Sequence, residues 1–198
     1  MEQNAVIIFA KNPMLGRAKT RIAKDVGDEK ALEIYNNLLA LTENILKGFP
    51  VQKYLFFTEF IDDKLWTIDK LNYRLQGSGN LGERMSDAFI NVFHSGHKKT
   101  IIMGSDCPYI TKNILADAFK ELDEFDHVIG PAVDGGFYLY GTKKFHTFLF
   151  DGVQWSTDSV LESTLENIVN MGESCKLLPT LTDIDHISDW EDFISSKN

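Results

Sequence analysis

Cysteines and cations are both scarce in this chain of 198 residues. The two cysteines, Cys107 and Cys175, are too few for a disulfide framework and do not have the spacing of a zinc site. Lysine and arginine number 20 against 29 acidic residues, which gives a net charge of −9. Because binding to nucleic acids or to anionic membranes depends on a basic surface, we expect neither partner.

Long hydrophobic runs are also lacking. The apolar run at 5–10 is far shorter than the roughly 20 residues of a membrane span, and residues 1–4 do not resemble a secretory leader. We therefore expect a cytoplasmic protein with no membrane span. With 43% hydrophobic residues, a chain of this length can bury one sizeable core, which predicts a single domain over residues 1–198.

What the sequence does contain is an alternation of strands and helices. Strands are predicted at 5–10, 52–58, 71–76, 100–103, 127–130, 137–141 and 176–178. Helices are predicted at 28–47, 81–94, 111–122, 159–171 and 188–194, with Thr111 capping the third and a Ser188–Glu191 capping box at the last. This order predicts a three-layer α/β/α domain with a mostly parallel sheet. Such sheets bind ligands beyond the carboxyl ends of their strands, which directs attention to loops 11–21, 104–110 and 131–136.

The first of these loops concentrates positive charge in an acidic chain. Lys11, Arg17, Lys19 and Arg21 surround Gly16 directly after the first strand. Arginine and lysine placed there could hold a diphosphate. The loop is not a P-loop, which needs a different glycine spacing. A solvated basic loop is the alternative.

Carboxylates follow the later strands. Asp106 could hold Mg²⁺ or Mn²⁺, or it could cap the turn before Pro108. The Asp134-Gly135-Gly136 segment allows close approach to a ligand, although it is also ordinary hairpin chemistry. Asp183 and Asp185 could face one site if their segment is extended, or they could belong to an acidic helix start.

Two further features have structural and functional interpretations. Glycines at 77, 79 and 82 border the helix 81–94, where they could bring backbone N–H groups to a base or phosphate, or only form the turn into the helix. Cys107 is interpreted as a small buried residue rather than a nucleophile.

Taken in order, the motifs resemble one family. They read Lys-x-Pro-x-x-Gly-x-x-Lys-Thr-Arg, Leu-Gly-Glu-Arg-Met, Gly-Ser-Asp-Cys-Pro, Gly-Pro-Ala-x-Asp-Gly-Gly-Phe-Tyr-Leu, Trp-Ser-Thr and Asp-Ile-Asp. The order resembles the glycosyltransferase family associated with arsenosugar biosynthesis, formerly a domain of unknown function. That family belongs to the nucleotide-diphospho-sugar transferases of GT-A fold and is similar to the guanylyltransferases of phospholactate and molybdopterin. The resemblance extends from about residue 5 to 193.

The resemblance implies roles for particular residues. Those over the nucleotide and its phosphates would be Lys11, Gly16, Lys19 and Arg21, and those bordering the base would be Gly77, Leu81, Gly82 and Glu83. Asp106 and Asp185 would be the metal ligands, and Asp134 would face the acceptor. The chain departs from the family pattern at Pro108, which replaces the last residue of an Asp-x-Asp motif, and at 186–188.

Three hypotheses of function follow from the resemblance and the residues together. The first is a glycosyltransferase with a nucleotide-sugar donor, a small-molecule acceptor and Mg²⁺ or Mn²⁺, in which Asp106, Asp134 and Lys19 are catalytic. The second is a nucleotidylyltransferase that joins an NTP to a metabolite. The third is a nucleotide-binding module without catalysis.

Overall fold

Seven strands form the sheet at the centre of the computed structural model, which describes residues 3–197. They are β1 (Asn4–Ala10), β2 (Gln52–Phe57), β3 (Leu71–Leu75), β4 (Lys99–Gly104), β5 (His127–Pro131), β6 (Phe137–Thr142) and β7 (Cys175–Leu177). Their order across the sheet is β3-β2-β1-β4-β6-β5-β7. Strand β6 is antiparallel to both neighbours, whereas all other pairs are parallel. The predicted mostly parallel sheet is confirmed.

Six helices accompany the sheet within the described residues. They are α1 (Thr20–Val26), α2 (Asp28–Leu46), α3 (Leu81–His94), α4 (Lys112–Glu124), α5 (Val160–Asn170) and α6 (Ile187–Ser195). As predicted, the Thr111 side chain caps α4 by accepting a hydrogen bond from the Ile114 N–H. No helix in residues 3–197 combines the length and the apolar character needed to cross a membrane.

Strand β1 supplies both faces of the core because its side chains alternate. Val6 and Ile8 pack in one cluster with residues of α2 and α4, such as Leu39 and Leu115. The intervening side chains, including Ile7, pack on the opposite face in a cluster that contains residues of α3 and α5. The result is the predicted three-layer α/β/α arrangement.

A third, smaller cluster joins α1 and α6 to the first half of α2. Its buried residues include Ile22 of α1, Ile34 of α2 and Phe193 of α6. Ile184, which precedes α6, is also buried there. This cluster fixes the segment that precedes α6 beside the loop that follows β1, and both segments contribute to the candidate site.

Two predictions about helices are corrected. Residues 20 and 21, assigned to a loop, begin α1, which at seven residues is too short for a clear apolar period. The last helix begins at Ile187, and its first turn is closed by Asp189, whose carboxylate accepts hydrogen bonds from the N–H groups of Asp185 and His186. The predicted Ser188–Glu191 capping box is therefore wrong by two residues.

Candidate functional site

A tyrosine of α2 holds the start of the loop after β1. The Tyr35 hydroxyl accepts a hydrogen bond from the Lys11 N–H at 2.8 Å and donates one to the Lys11 carbonyl at 3.0 Å. The same oxygen lies 3.4 Å from Ser105 Oγ, in the loop after β4. Burial, and then the nearby charge of Asp106, raise the pKa of Tyr35 well above its ordinary value, so the hydroxyl remains protonated. Tyr35 thus joins two loops of the candidate site.

A buried asparagine anchors the same loop to its neighbour. Asn12 Oδ1 accepts hydrogen bonds from the N–H groups of Glu59 and Phe60 at 3.0 and 3.3 Å, and Asn12 Nδ2 donates to the Phe60 carbonyl at 2.9 Å. Arg17 adds an exposed ion pair to Glu59 at 2.8 Å. Gly16 between them has a φ of +72°, a conformation that glycine adopts without strain. The contacts of Asn12 therefore anchor the start of the loop, while the side chains of Lys11, Arg17 and Arg21 are exposed.

Lys19 carries its charge into the interior. Its backbone is left-handed, with φ 49° and ψ 48°, which is unfavourable for a residue with a Cβ. The side chain is only 6% exposed, and Nζ lies 3.0 Å from Asp106 Oδ1. Nζ also donates a 2.6 Å hydrogen bond to the Ile184 carbonyl. One ammonium group therefore connects the first loop, the loop after β4 and the segment before α6.

Asp183 is the most perturbed carboxylate of the site. Its Oδ1 atom is buried and has no hydrogen-bond partner within residues 3–197. Burial, followed by the charges of Asp106 and Asp134, raises the pKa of Asp183 to about 7. The Cys107 thiol lies beside Asp183, and burial raises the pKa of this thiol well above its usual range. Cys107 is thus the buried, unreactive residue that was predicted.

The hairpin between β5 and β6 brings Asp134 to the same edge of the sheet. Asp134 Oδ1 accepts a hydrogen bond from the Gly136 N–H at 2.9 Å, which closes the turn, so the hairpin interpretation is confirmed. The Val133 N–H donates to the Leu181 carbonyl at 3.0 Å and ties the loop to the chain leading to Asp183. Gly135 has a φ of +87°, and a Cβ there would lie 2.2 Å from the Asp158 carbonyl oxygen.

The start of α3 lies beyond the carboxyl end of β3. Asn80 and Glu83 make a reciprocal capping box, so the Glu83 carboxylate accepts a hydrogen bond from the Asn80 N–H at 2.7 Å. Gly82 lies against Trp155, whose ring atoms would be 2.7 Å from an added Cβ. Leu81 is half-buried beside them. Gly77 precedes the helix and packs on Asp87. These contacts give Glu83 and Gly82 structural roles in shaping this helix start.

The sequence itself places the chain in a known family. Residues 41–157, more than half of the chain, match the family described as "Uncharacterized protein conserved in bacteria (DUF2064)". The chain belongs to this family. A comparison with curated proteins finds no match.

Solved structures support the predicted fold class of this DUF2064 protein. A candidate nucleotide-diphospho-sugar transferase from Desulfovibrio desulfuricans G20 is 28% identical, with a TM-score of 0.94 over 100% of this chain and 89% of that one. The inositol-1-phosphate CTP transferase from T. maritima is 16% identical, with a TM-score of 0.62 over 98% and 94% of the two chains. The 4-diphosphocytidyl-2C-methyl-D-erythritol synthase from Anaerococcus prevotii DSM 20548 is 11% identical, with a TM-score of 0.62 over 99% and 96%. The fold is that of nucleotide-diphospho-sugar transferases and nucleotidyltransferases.

The structure brings together some of the residues singled out in the sequence. Lys19 and Asp106 are paired, and the charge of Asp134 acts on Asp183 near them. Arg21 and Asp185 pair with each other at 2.8 Å, on a more exposed side. The carboxylate whose electrostatics couple to Asp106 is thus Asp183, two residues before the one expected from the resemblance.

The sequence singles out Asp183 together with Asp185, and the resemblance then favours Asp185. In the structure Ile184 between them is fully buried. The Asp183 carboxyl is buried near the charge of Asp106, whereas Asp185 pairs with Arg21. In residues 3–197 no three His, Cys, Asp or Glu side chains form a group able to hold a metal ion. Asp106 and Asp183 are therefore two candidate oxygen ligands rather than a complete protein cage.

Proposed function

We propose that this chain is a metal-dependent glycosyltransferase that transfers a sugar from a nucleotide-sugar donor to a small-molecule acceptor. The observation that carries the proposal is the convergence of Lys19, Asp106, Asp134 and Asp183 beyond the carboxyl ends of the sheet. This is where open α/β sheets bind ligands. The 28% identity to a candidate nucleotide-diphospho-sugar transferase over the whole chain supports the same class of reaction.

The residues present fit a divalent cation. Asp183 Oδ1 is a buried acceptor without a donor in residues 3–197, and burial, followed by the negative charges of Asp106 and Asp134, raises the pKa of this carboxyl. A pair of carboxylates suits Mg²⁺ or Mn²⁺, since these ions fill their remaining positions with water and phosphate oxygens. Asp106 and Asp183 would hold the ion in place of the expected pair Asp106 and Asp185. When bound, the ion would neutralise negative charge on the donor's phosphates.

The basic residues act on the leaving group in this proposal. The Lys19 ammonium is fixed by Asp106 and the Ile184 carbonyl, so it is preorganised to stabilise charge that develops on the departing nucleoside diphosphate. Lys11 and Arg21 would bind the same phosphates from the rim, and Gly16 would allow the loop to approach them closely. The edge formed by Gly77, Leu81, Gly82 and Glu83 would border the base.

In this proposal the sugar transfer is a substitution at the anomeric carbon of the donor. The acceptor oxygen forms a bond to that carbon, while the bond from the carbon to the diphosphate oxygen breaks. The electron pair leaves with the nucleoside diphosphate, and the acceptor hydroxyl gives its proton to the Asp134 carboxylate. Asp134 is suited to this because the hairpin turn fixes it through the Gly136 N–H.

Nucleotidylyl transfer is a second candidate function. It is favoured by the fold likeness to an inositol-1-phosphate CTP transferase and to a diphosphocytidyl-methylerythritol synthase, which this chain matches over almost its whole length. The same basic residues would then stabilise a pyrophosphate leaving group. The arsenosugar-type activity is supported by the order of the motifs, and we propose it as one form of the glycosyl transfer.

Ligand-dependent thermal stability tests the proposal. The melting temperature would be measured with NTPs, NDPs and NDP-sugars, each with and without Mn²⁺, because a ligand that binds the native state raises it. We expect a Mn²⁺-dependent rise shared by one NDP-sugar and its NDP, and its loss in Asp106→Asn.

The products then separate the candidate reactions. Release of an NDP from an NDP-sugar would support glycosyl transfer, whereas release of pyrophosphate from an NTP would support nucleotidylyl transfer. Binding without either product over a broad panel of acceptors would favour a non-catalytic nucleotide-binding module.

A further inference from the structure

A groove with a volume of about 710 Å³ runs along the outer side of α5. The groove is open to solvent, and all of its lining residues except Gly135 and Asp158 belong to α5. Two kinds of side chain line it. Leu161, Leu165 and Val169 are apolar, and Asp158, Glu162 and Glu166 are acidic.

The two kinds of side chain form parallel stripes. Leu161, Leu165 and Val169 repeat every four residues of α5, as do Glu162 and Glu166, which places each set on one line along the helix. Asp158 lies in the turn before the helix. The apolar stripe ends at Val169, which is 72% exposed although it is a large hydrophobic residue. The acidic stripe has no counter-ion, since within residues 3–197 Asp158, Glu162 and Glu166 form no ion pair and no side-chain hydrogen bond. The acidic side of the groove is therefore unneutralised, and its apolar side is exposed at Val169, whereas Leu161 and Leu165 are half-buried and pack on the core.

One end of the groove adjoins the hairpin loop that carries Asp134. Gly135 lines the groove and is the residue after Asp134, the proposed proton acceptor. The Gly135 carbonyl accepts a hydrogen bond from the Leu161 N–H at 2.9 Å. The hairpin loop and the first turn of α5 are thus joined directly, so a molecule lying in the groove would have one end beside Asp134.

We propose that this groove binds the acceptor substrate, and that the acceptor is an elongated amphiphile with a hydroxyl at one end and a cationic amine farther along. This inference rests on the proposed glycosyl transfer. The hydroxyl lies at Asp134, the apolar part packs on Leu161, Leu165 and Val169, and the amine faces Glu162 and Glu166. The hydroxyl oxygen bonds to the anomeric carbon as the diphosphate leaves, and its proton passes to Asp134.

Charge decides against a second copy of the chain in this groove. A twofold dimer apposes the same surface of both subunits, which would bring six uncompensated carboxylates together across the interface. Continuity with Asp134 favours an acceptor over a basic peptide of another protein, because a peptide-docking surface has no need to end at a reactive carboxylate.

Direct binding to three probes of equal chain length tests the proposal. Aminooctanol, octanediol and hydroxyoctanoate differ only in the charge at one end. By titration calorimetry at low salt, we expect the wild-type chain to bind aminooctanol about fivefold more tightly than octanediol, as for two exposed charge pairs, and hydroxyoctanoate most weakly. The preference should shrink at high salt because these charges are exposed.

Matched variants locate the effect. Glu162→Gln with Glu166→Gln should abolish the preference for the amine, whereas Glu121→Gln with Glu124→Gln, on α4 across the sheet, changes the net charge equally and should preserve it. Val169→Ser should weaken the binding of all three probes by the same factor. Equal binding of amine and diol to the wild-type chain, or a preference that survives the Glu162/Glu166 change, would overturn the proposal. So would binding of a basic amphipathic peptide alone.

The two proposals fail separately. Nucleotide binding is measured by its own titration, without any acceptor present. If the wild-type chain binds no nucleotide but prefers the amine, the proposed glycosyltransferase is refuted, whereas the amine-binding groove is supported. Normal turnover of an NDP-sugar with no amine preference would refute only the acceptor class.

Discussion

The Lys19 ammonium and the Asp106 carboxylate are 3.0 Å apart, and they come from loops that follow adjacent parallel strands. Lys19 is almost fully buried, yet 46% of the Asp106 side chain is exposed. The lysine is therefore fixed beside the carboxylate, and the open side of Asp106 is left to face a ligand. The left-handed backbone of Lys19 indicates that the surrounding contacts hold a strained residue in place.

Replacement of Lys19 by methionine tests whether its charge acts in the reaction. Methionine keeps the packing of the buried stem but removes the ammonium, so the charge on the leaving diphosphate would lose a fixed stabilising group. We expect turnover of the donor to fall about 100-fold, measured as release of the nucleotide product. Lys24→Met, at an exposed position of α1, is the control. Wild-type turnover in Lys19→Met would remove Lys19 from the mechanism.

Asp183 should make stability fall as the pH rises. Its folded-state pKa of about 7 lies above the ordinary value of 3.8, so the folded state binds the proton more tightly. The resulting stabilisation is fully present below about pH 4 and is lost as the pH rises through 7. Asp183→Asn removes this loss, so without divalent cations the variant should melt several degrees above the wild type at pH 8.

The exposed Asp185, which is paired with Arg21, gives the control for that experiment. Asp185→Asn should retain the wild-type decrease in melting temperature between pH 5 and 8. A wild-type curve that is flat over this range in the absence of metal would contradict the assignment of the raised pKa to Asp183.

The sequence predicts the strands and long helices well because their signals are local. The apolar run of β1 and the apolar stripes of α2 and α3 each span enough residues to show their period. Helix α1 is missed because its burial depends on α2 and α6, which are brought to it by the fold. Tyr35 is missed as a site residue for the same reason, and the different surroundings of Asp183 and Asp185 are likewise set by the fold. In the sequence Tyr35 is one residue of the apolar stripe of α2, and nothing in that pattern indicates that its hydroxyl bonds to Lys11.

The Tyr35 hydroxyl should prove necessary for nucleotide binding. Tyr35→Phe leaves both backbone groups of Lys11 without their partner and releases the loop from Ser105. We expect about 1–3 kcal/mol lower stability and severalfold weaker nucleotide affinity, measured by titration. Tyr54→Phe removes a buried hydroxyl that bonds to His97 instead, and it should leave the affinity unchanged. Equal affinity in both variants would show that Tyr35 only supports the core.

Gly135 should tolerate no side chain. Its φ is +87°, and an added Cβ would lie 2.2 Å from the Asp158 carbonyl oxygen, a backbone atom that cannot turn aside. Gly152 has a similar φ of +73° but nothing within 4 Å of its added Cβ, so the two glycines separate conformational strain from steric contact. Gly152→Ala should cost about 1 kcal/mol in urea unfolding, and Gly135→Ala about 3 kcal/mol or more. Because the contact joins the Asp134 loop to α5, relief of the clash would displace Asp134, and turnover per folded molecule should fall in Gly135→Ala alone. Equal losses of stability in the two variants would mean that the hairpin loop can move away from α5 at little cost, and the fixed position of Asp134 would then be refuted.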